Sequence, residues 1–545
     1  MQKIKTFPRN ILTFILILSV ILGIDFFGAK LFFAQAQTTT YVNWTQLQGD
    51  AQKTGRSTAK VDPNYGSAWT WIDKTHIVKN FTSTPYKSIN DNFEAGFKST
   101  IVFSGMMQPV VANGRTFFGA MNGTMYAVDS VTGDNRWDYT SGGPILNTAG
   151  YTNGVIIFGS MDGNIYGLNE TDGSLKWTFT TKSGVMTAPT IVGNNVYLGS
   201  RDGSFYAINA VTGAQIWKYS TRDVGGNSAF NNAPIVGSAA VSEDGSTIFF
   251  GAENMNFYAL NATNGTEKWT PKKVVGQSFL YTWPTVKGNL VITRTMSSLQ
   301  GSEYTMETQL DGLSANTDWT TQKNVILNWL ATNPEQKIMY TFDVNNGYEP
   351  YQVAMGRVTG NNFPPHSTVV DNSNRILSYW RVRDASFISS ASNACFGTKY
   401  CPDISAMDPA TGDRVKLTNN SSLKIAPELD NGFQLTVGGN LLYFHNHFRG
   451  TAVVNLDTGA LTWMTRPRAV WDCGNERARG FQIIYYGDDG VSTSVCNPQP
   501  PDPIPDRIYN AADGFSGVAI GANNGTGMLY INERDINGIT GVKHI

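Results

Sequence analysis

Short apolar runs alternate with turn residues along this chain at a repeating interval. Gly119 to Trp137 reads G-A-M-N-G-T-M-Y-A-V-D-S-V-T-G-D-N-R-W, and Gly159 to Trp177 reads G-S-M-D-G-N-I-Y-G-L-N-E-T-D-G-S-L-K-W. The same pattern returns at Gly199 to Trp217 and at Gly251 to Trp269, with tryptophans about 40, 40 and 52 residues apart. The Asn-Gly or Asp-Gly pairs at 122–123, 162–163 and 202–203 suit two-residue hairpin turns, in which both central residues need positive φ. An alternating segment such as Phe205 to Asn209 then reads as a strand, Val211-Thr212-Gly213 as a second turn, and a further strand ends in tryptophan. Segments such as Thr187 to Ile191 supply a fourth strand. Four strands repeated at about forty residues are the blades of a β-propeller.

A blade cannot bury both faces alone, so a tryptophan at one site in each unit is expected to pack between neighbours. Trp137, Trp177, Trp217, Trp269, Trp319 and Trp463 are assigned that role, against the rival reading of an exposed aromatic ladder for carbohydrate. The pattern then decays. Leu310-Asp311-Gly312 leads to Trp319, Met407 to Gly412 keeps the turn without a tryptophan, and Asn455 to Gly459 leads to Trp463. Gly521 to Ile531 looks like the front of one more unit, completed by strands from the region after Trp44 so that the ring closes without exposed edges. The expected fold is all-β: a single β-propeller of four-stranded antiparallel blades, eight in number, with seven as the alternative. Clear repeats run from about 105 to 270, degenerate blades from about 280 to 465, a cap loop from about 466 to 510, and closing strands from about 511 to 545.

Composition agrees with many short strands and excludes several functions. Of 545 residues 55 are glycine, aromatics make up 12% and charged residues only 15%. Lys plus Arg is 41 against 42 for Asp plus Glu, so no global field favours a polyanion and nucleic acid is not an expected partner.

Lys3, Lys5 and Arg9 precede an apolar stretch from Ile11 to Ile24, and Ala34-Gln35-Ala36 offers a small-x-small cleavage site. Residues 1–36 therefore read as a signal peptide and 37–545 as the mature, extracytoplasmic chain, periplasmic or secreted, without a transmembrane span. An uncleaved anchor is the rival reading, since Phe26, Phe27, Leu31, Phe32 and Phe33 prolong the stretch, but Asp25 and Lys30 interrupt it. The four cysteines pair most naturally as Cys395 with Cys401 and Cys473 with Cys496, although four cysteines allow three connectivities. No Cys-x-x-Cys spacing supports zinc, and no cysteine stands near the cleavage point to carry a lipid.

The signature D/N-x-x-T/D/N-G-x-x-x-W at Asp129 to Trp137, Asn169 to Trp177, Asn209 to Trp217 and Asn261 to Trp269 resembles the pyrroloquinoline-quinone (PQQ) repeat. The opening Trp44 to Gly55 is similar to the W-x-x-x-x-G-x-x-x-x-x-G motif at the front of many such propellers. The resemblance implies one of two classes. In quinoprotein alcohol dehydrogenases, PQQ and a calcium ion sit on the axis, an aspartate is the base and adjacent cysteines cover the cofactor. Cofactor-free propellers such as the outer-membrane assembly lipoprotein bind protein partners instead. This chain lacks adjacent cysteines, a haem-attachment sequence and a segment that matches the aspartate base or calcium ligands, and it also lacks the lipoprotein's lipid-attachment cysteine.

Other candidates are sparse. His445 and His447, at i and i+2 on a strand, share a face and are a weak start for a metal site. Arg466, Arg468, Arg477 and Arg479 bracket Cys473 in the cap loop and suit a carboxylate or acidic partner, against the plainer reading of a solvated rim. Pro498 to Pro505 reads as extended linker, and sequons such as Asn122-Gly123-Thr124 follow from turn chemistry. The expected function is a non-catalytic binding or assembly scaffold, without cofactor, that takes a protein or small-molecule ligand at a loop-rich face. The alternative is a dehydrogenase of an alcohol or sugar that uses PQQ and Ca²⁺.

Overall fold

Eight small antiparallel sheets follow one another around a common axis in a computed structural model. It describes residues 41–79, 101–221, 232–296, 306–356, 368–382, 401–417, 434–463, 485–494 and 518–544, apart from a few positions inside these stretches. Blade 1 is built from Val110–Ala112, Arg115–Gly119, Thr124–Asp129 and Asn135–Thr140, from the innermost strand outward. Blades 2, 3 and 4 repeat this order and begin at Gly150, Thr190 and Ala240. Blade 5 has three strands, Thr285–Lys287, Leu290–Arg294 and Met339–Asp343. Blade 6 spans Val369 to Val415 and blade 7 spans Thr436 to Trp463.

Blade 8 joins the two ends of the chain. Its inner strands are Val518–Asn523, Thr526–Glu533 and Gly538–His544, and its outer strand is Tyr65–Asp73, paired to the last of these. The register runs from Tyr65 opposite His544 to Trp71 opposite Ile539. The propeller therefore has eight blades rather than seven, and its terminal sheet is held by hydrogen bonds between opposite ends of the sequence. Such a clasp removes two sheet edges that would otherwise expose unpaired backbone groups.

The packing unit between blades is a tryptophan set over the turn of the next blade. Trp177, only 8% exposed, donates from Nε1 to the carbonyl of Ala210 at 3.0 Å, and its ring covers Gly213. Gly213 has φ +73°, which lets the turn reverse and lets the backbone approach the indole. Trp69 repeats the bond to Ser130, Trp137 to Glu170, Trp217 to Ala262 and Trp269 to Val344. In each case the acceptor lies three residues before the turn glycine.

Three features differ from the sequence reading. At 122–123, 162–163 and 202–203 only Gly123, Gly163 and Gly203 have positive φ, so these are not primed two-residue turns; both residues have positive φ instead at Asn113-Gly114 and Asn153-Gly154. The segment from Leu310 to Trp319 is not a strand that ends in a blade tryptophan. It belongs to an insertion between the second and third strands of blade 5, with helices α1 (Met306–Leu310) and α2 (Trp319–Thr332). Asp318 caps α2 by accepting from the amide of Thr321 at 2.9 Å, and Trp319 opens the helix. The place of the missing tryptophan is taken by Tyr351, four residues after the turn glycine Gly347, whose hydroxyl donates to the carbonyl of Pro409 at 2.9 Å. In blade 6, where the tryptophan is lost, Arg375 reaches across instead and donates to the carbonyl of Leu456 at 3.5 Å. The joint survives through three different side chains because only one donor at that place is required.

Candidate functional site

The two ends of the propeller differ in kind. Connections from first to second strand are short turns, such as Asn113-Gly114 and Asn153-Gly154, and those from third to fourth strand are compact glycine turns. The opposite end carries the second-to-third connections and those between blades. Five long connections leave from it: 221–239, 295–338, 383–400, 416–435 and 464–517; the sixth, 80–109, follows the strand His76–Lys79, which turns back antiparallel to Tyr65–Asp73. Loops on a rigid scaffold carry binding more often than the scaffold itself. This end, with the mouth of the axis at its centre, is the candidate site.

The axis beneath that mouth is closed by the chain's own N-terminal segment. Residues 41–57 form a strap that meets every blade in ring order. Trp44 exchanges two backbone bonds with Val111, the carbonyl of Thr45 accepts from Tyr151, and the side chain of Gln46 exchanges two bonds with the backbone of Ile191. The carbonyls of Ala51, Gln52, Thr54 and Gly55 accept from Val241, Val286, Val370 and Val437, and Tyr41–Val42 pairs with Ala522 and Asn523. These partners are amides on the inner edge of the first strands, and a buried strand edge needs acceptors. The Trp44 to Gly55 motif thus satisfies the inner rim of the ring.

Above the strap, amides dominate. Bonds that skip a blade mark where the radius is small. Asn147 of blade 2 donates to Ser238 Oγ of blade 4 at 3.5 Å, and Gln434 of blade 7 donates to the carbonyl of Met106 before blade 1 at 3.4 Å. Gln108 accepts from Trp44 Nε1 at 3.0 Å and from the amide of Gln48 at 2.8 Å, and donates to the carbonyl of Val518 at 2.8 Å. Gln48 is fully buried, yet neither atom of its amide has a partner, and the same holds for Oε1 of Gln434.

Arg56 of the strap lies at the surface and donates to Asn374 Oδ1 at 3.2 Å, so the strap's buried charge is confined to one pair. Lys53 is fully buried and donates to Gln46 Oε1 at 3.2 Å. Burial pushes its amine down to about 7, opposed by the nearby Asp50 carboxylate. Burial also raises Asp50, opposed by its bonds to the hydroxyl and amide of Thr54. Glu253, on the loop-bearing end of blade 4, is raised by burial and accepts from Phe279 N at 3.0 Å and Ser278 Oγ at 2.9 Å.

A calcium ion takes six to eight oxygen ligands, mostly carboxylates and carbonyls. Among the described residues no three His, Cys, Asp or Glu side chains gather in a way that could hold a metal. The carboxylates of Asp50 and Glu253 are already engaged, and the free amide atoms of Gln48 and Gln434 suit an ordered water rather than a dication. The donor set of the described axis does not fit PQQ with calcium, so no chemical step is derived through that pair.

Several sequence candidates lie outside the described residues. These are residues 1–36, Arg466, Arg468, Arg477 and Arg479, Pro498 to Pro505, and His447, together with the side chains of His445 and Trp463. The two cysteine pairings likewise involve Cys395, Cys473 and Cys496, which are outside. Within the cap loop the described part is a hairpin of Tyr485–Tyr486 and Ser492–Ser494. No described helix is long and apolar enough to cross a membrane. Gln108 and Gln434 escaped the sequence reading, and only their place just ahead of first strands, as in Gln108-Pro109-Val110, could have marked them; Gln46 and Gln48 lie within the Trp44 to Gly55 motif.

Residues 68–297 match the family model described as outer membrane protein assembly factor BamB. No curated protein matches the chain. Among solved structures, BamB from Moraxella catarrhalis is 16% identical, with 64% of this chain and 82% of that one covered at a TM-score of 0.40. The quinohemoprotein alcohol dehydrogenase ADHIIG from Pseudomonas putida HK5 is 12% identical over 92% of this chain and 80% of that one, at a TM-score of 0.50. A europium-containing methanol dehydrogenase is 11% identical over 82% and 88%, at 0.47. At these identities the likeness to solved structures is one of fold.

Proposed function

We propose that this chain, a β-propeller of PQQ-like repeats, is a non-catalytic binding or assembly scaffold that engages a partner through its loop-bearing end. One observation carries the reading: apart from the amide of Gln48 and Oε1 of Gln434, the polar groups described on the axis bond to the chain itself. The strap occupies the inner rim, Gln108 and Asn147 bond to backbone and neighbouring side chains, and the acids nearby are engaged. Long connections gather around this closed axis at one end, so the surface free to vary is a ring of loops. The family match to an assembly factor points the same way. The signal-peptide pattern of residues 1–36 supports an extracytoplasmic setting for this role.

Two measurements test the proposal on the purified chain. With added PQQ and calcium, neither stoichiometric change in quinone absorbance nor alcohol-dependent dye reduction is expected, and binding with turnover overturns the scaffold. A photo-crosslinking residue at Met121, exposed on the loop-bearing end of blade 1, should capture a partner. The same residue at Val131, exposed on the opposite end of that blade, should not. Equal capture at both places removes the argument for a single binding end.

A further inference from the structure

The seam between blades 5 and 6 holds a cation without a counter-charge among the described residues. Arg294 ends the second strand of blade 5 and is only 5% exposed. It shares a strand face with Leu290 and Ile292, which pack against Ile376 and Trp380 of blade 6. The guanidinium donates from Nη2 to Ser378 Oγ and, at 3.5 Å, to Thr368 Oγ1, while Nε has no partner. No described carboxylate pairs with it, and burial alone draws its pKa down to about 9.

The neighbouring groups are also donors. Trp380 lies two residues beyond Ser378 on the same strand face, is 2% exposed, and its Nε1 is buried without a partner. The hydroxyls of Ser378 and Thr368 accept from the guanidinium, so each keeps its own proton to give. An arginine, an indole N–H and two hydroxyls therefore line one seam with no matching acceptor among the described residues. A buried guanidinium left unpaired is costly, and its planar fork fits an oxyanion. Trp319 of α2 meets Trp380 edge-on at 5.6 Å, so the blade 5 insertion forms one wall of the seam.

We propose that Arg294, Ser378, Thr368 and Trp380 form a binding site for a small oxyanion, a free carboxylate or phosphate. It lies off the axis and is independent of whether the loop-bearing end binds a partner.

Thermal unfolding of the full chain at pH 7 and constant ionic strength tests the site, with chloride replaced stepwise by phosphate in one arm and by acetate in another. A saturable rise of the midpoint in either arm, absent with chloride, is expected, and the arm that responds identifies the group. Arg294→Gln should abolish the response. Ser378→Ala, which keeps the charge and the packing, should raise the half-saturating concentration about tenfold, as one lost charge-assisted bond implies. A midpoint indifferent to both oxyanions overturns the proposal, and so does a response unchanged in Ser378→Ala and Arg294→Gln. If Glu303→Gln or Asp384→Asn destabilises the chain as much as Arg294→Gln and neither oxyanion has an effect, the counter-charge is internal and the site is refuted.

Discussion

The indole of Trp177 lies over Gly213 of the next blade and donates to the carbonyl of Ala210, so each such joint combines a close contact with a directed bond. The contact leaves no room for a side chain: a Cβ on Gly213 would stand 2.8 Å from the ring. Both the wedge and the turn beneath it are therefore fixed together, which explains why glycine and tryptophan recur in step along the sequence.

Gly213→Ala should thus be penalised twice, by positive φ and by collision with Trp177. Gly154 has nearly the same φ, +72° against +73°, but nothing within 4 Å of its Cβ position. Gly154→Ala should cost about 1–2 kcal/mol from conformation alone, and Gly213→Ala about 1–3 kcal/mol more from overpacking. Urea unfolding of both variants checks this, and equal losses would show that the indole yields freely.

Tyr351 offers a test of whether a single donor maintains the joint. Tyr351→Phe keeps the ring over Gly412 and removes only the bond to Pro409, for an expected loss of about 1 kcal/mol. Burial, with Asp408 adding to it, raises the phenol to about 12. The unfolded chain then releases this proton near pH 10 and the folded chain only near 12, so stability falls as pH rises through that window. Phe at this position should flatten that part of the pH profile of the unfolding midpoint.

Lys53 should act in the opposite direction over a lower range. Its folded pKa, about 7, lies below the 10.5 of an unburied amine, so between these values the unfolded chain binds the proton that the native chain has shed. Stability contributed by this group rises with pH across the window and is at its lowest below about 7, where the charge is buried. Lys53→Met should remove that slope and raise the unfolding midpoint at pH 6. A wild-type profile parallel to that of the variant from pH 6 to 10 would show that the amine reaches water.

Much of the ring was legible because its causes are local. Turn glycines, alternating strands and the tryptophan period are set by a few neighbouring residues, so blades 1 to 4 and the joining of the termini could be read from spacing. Blade 5 misled because the helical insertion between its second and third strands brings Trp319 into the chain where a blade tryptophan was awaited. Its true counterpart, Tyr351, follows a turn at Gly347 that the interrupted period concealed. The axis was less legible still. Gln46, Gln48, Gln108 and Gln434 come from distant parts of the sequence and carry no spacing rule of their own, and only the closed ring brings them together. Arg294 was hidden for a similar reason, since a strand-end arginine usually reaches solvent.

Gln48 and Gln108 form a contrast that reports on the state of the axis. Both are fully buried. The amide of Gln48 has no partner, so Gln48→Met replaces two unsatisfied polar atoms with an apolar side chain of similar length and should stabilise the chain by about 1–3 kcal/mol. Gln108→Met should do the reverse, because Trp44 Nε1 and the backbone N–H of Gln48 lose their partner, while the carbonyl of Val518 keeps its bond from Thr436 Oγ1 at 2.6 Å. A loss of about 2 kcal/mol or more is expected there, at roughly 1 kcal/mol or more for each of the two groups left buried and unpaired. Urea midpoints of the two variants measure the difference. If Gln48→Met is instead destabilising by more than about 1 kcal/mol, the Gln48 amide holds an ordered water or a polar ligand, and the axis is open to a guest that the scaffold reading does not include.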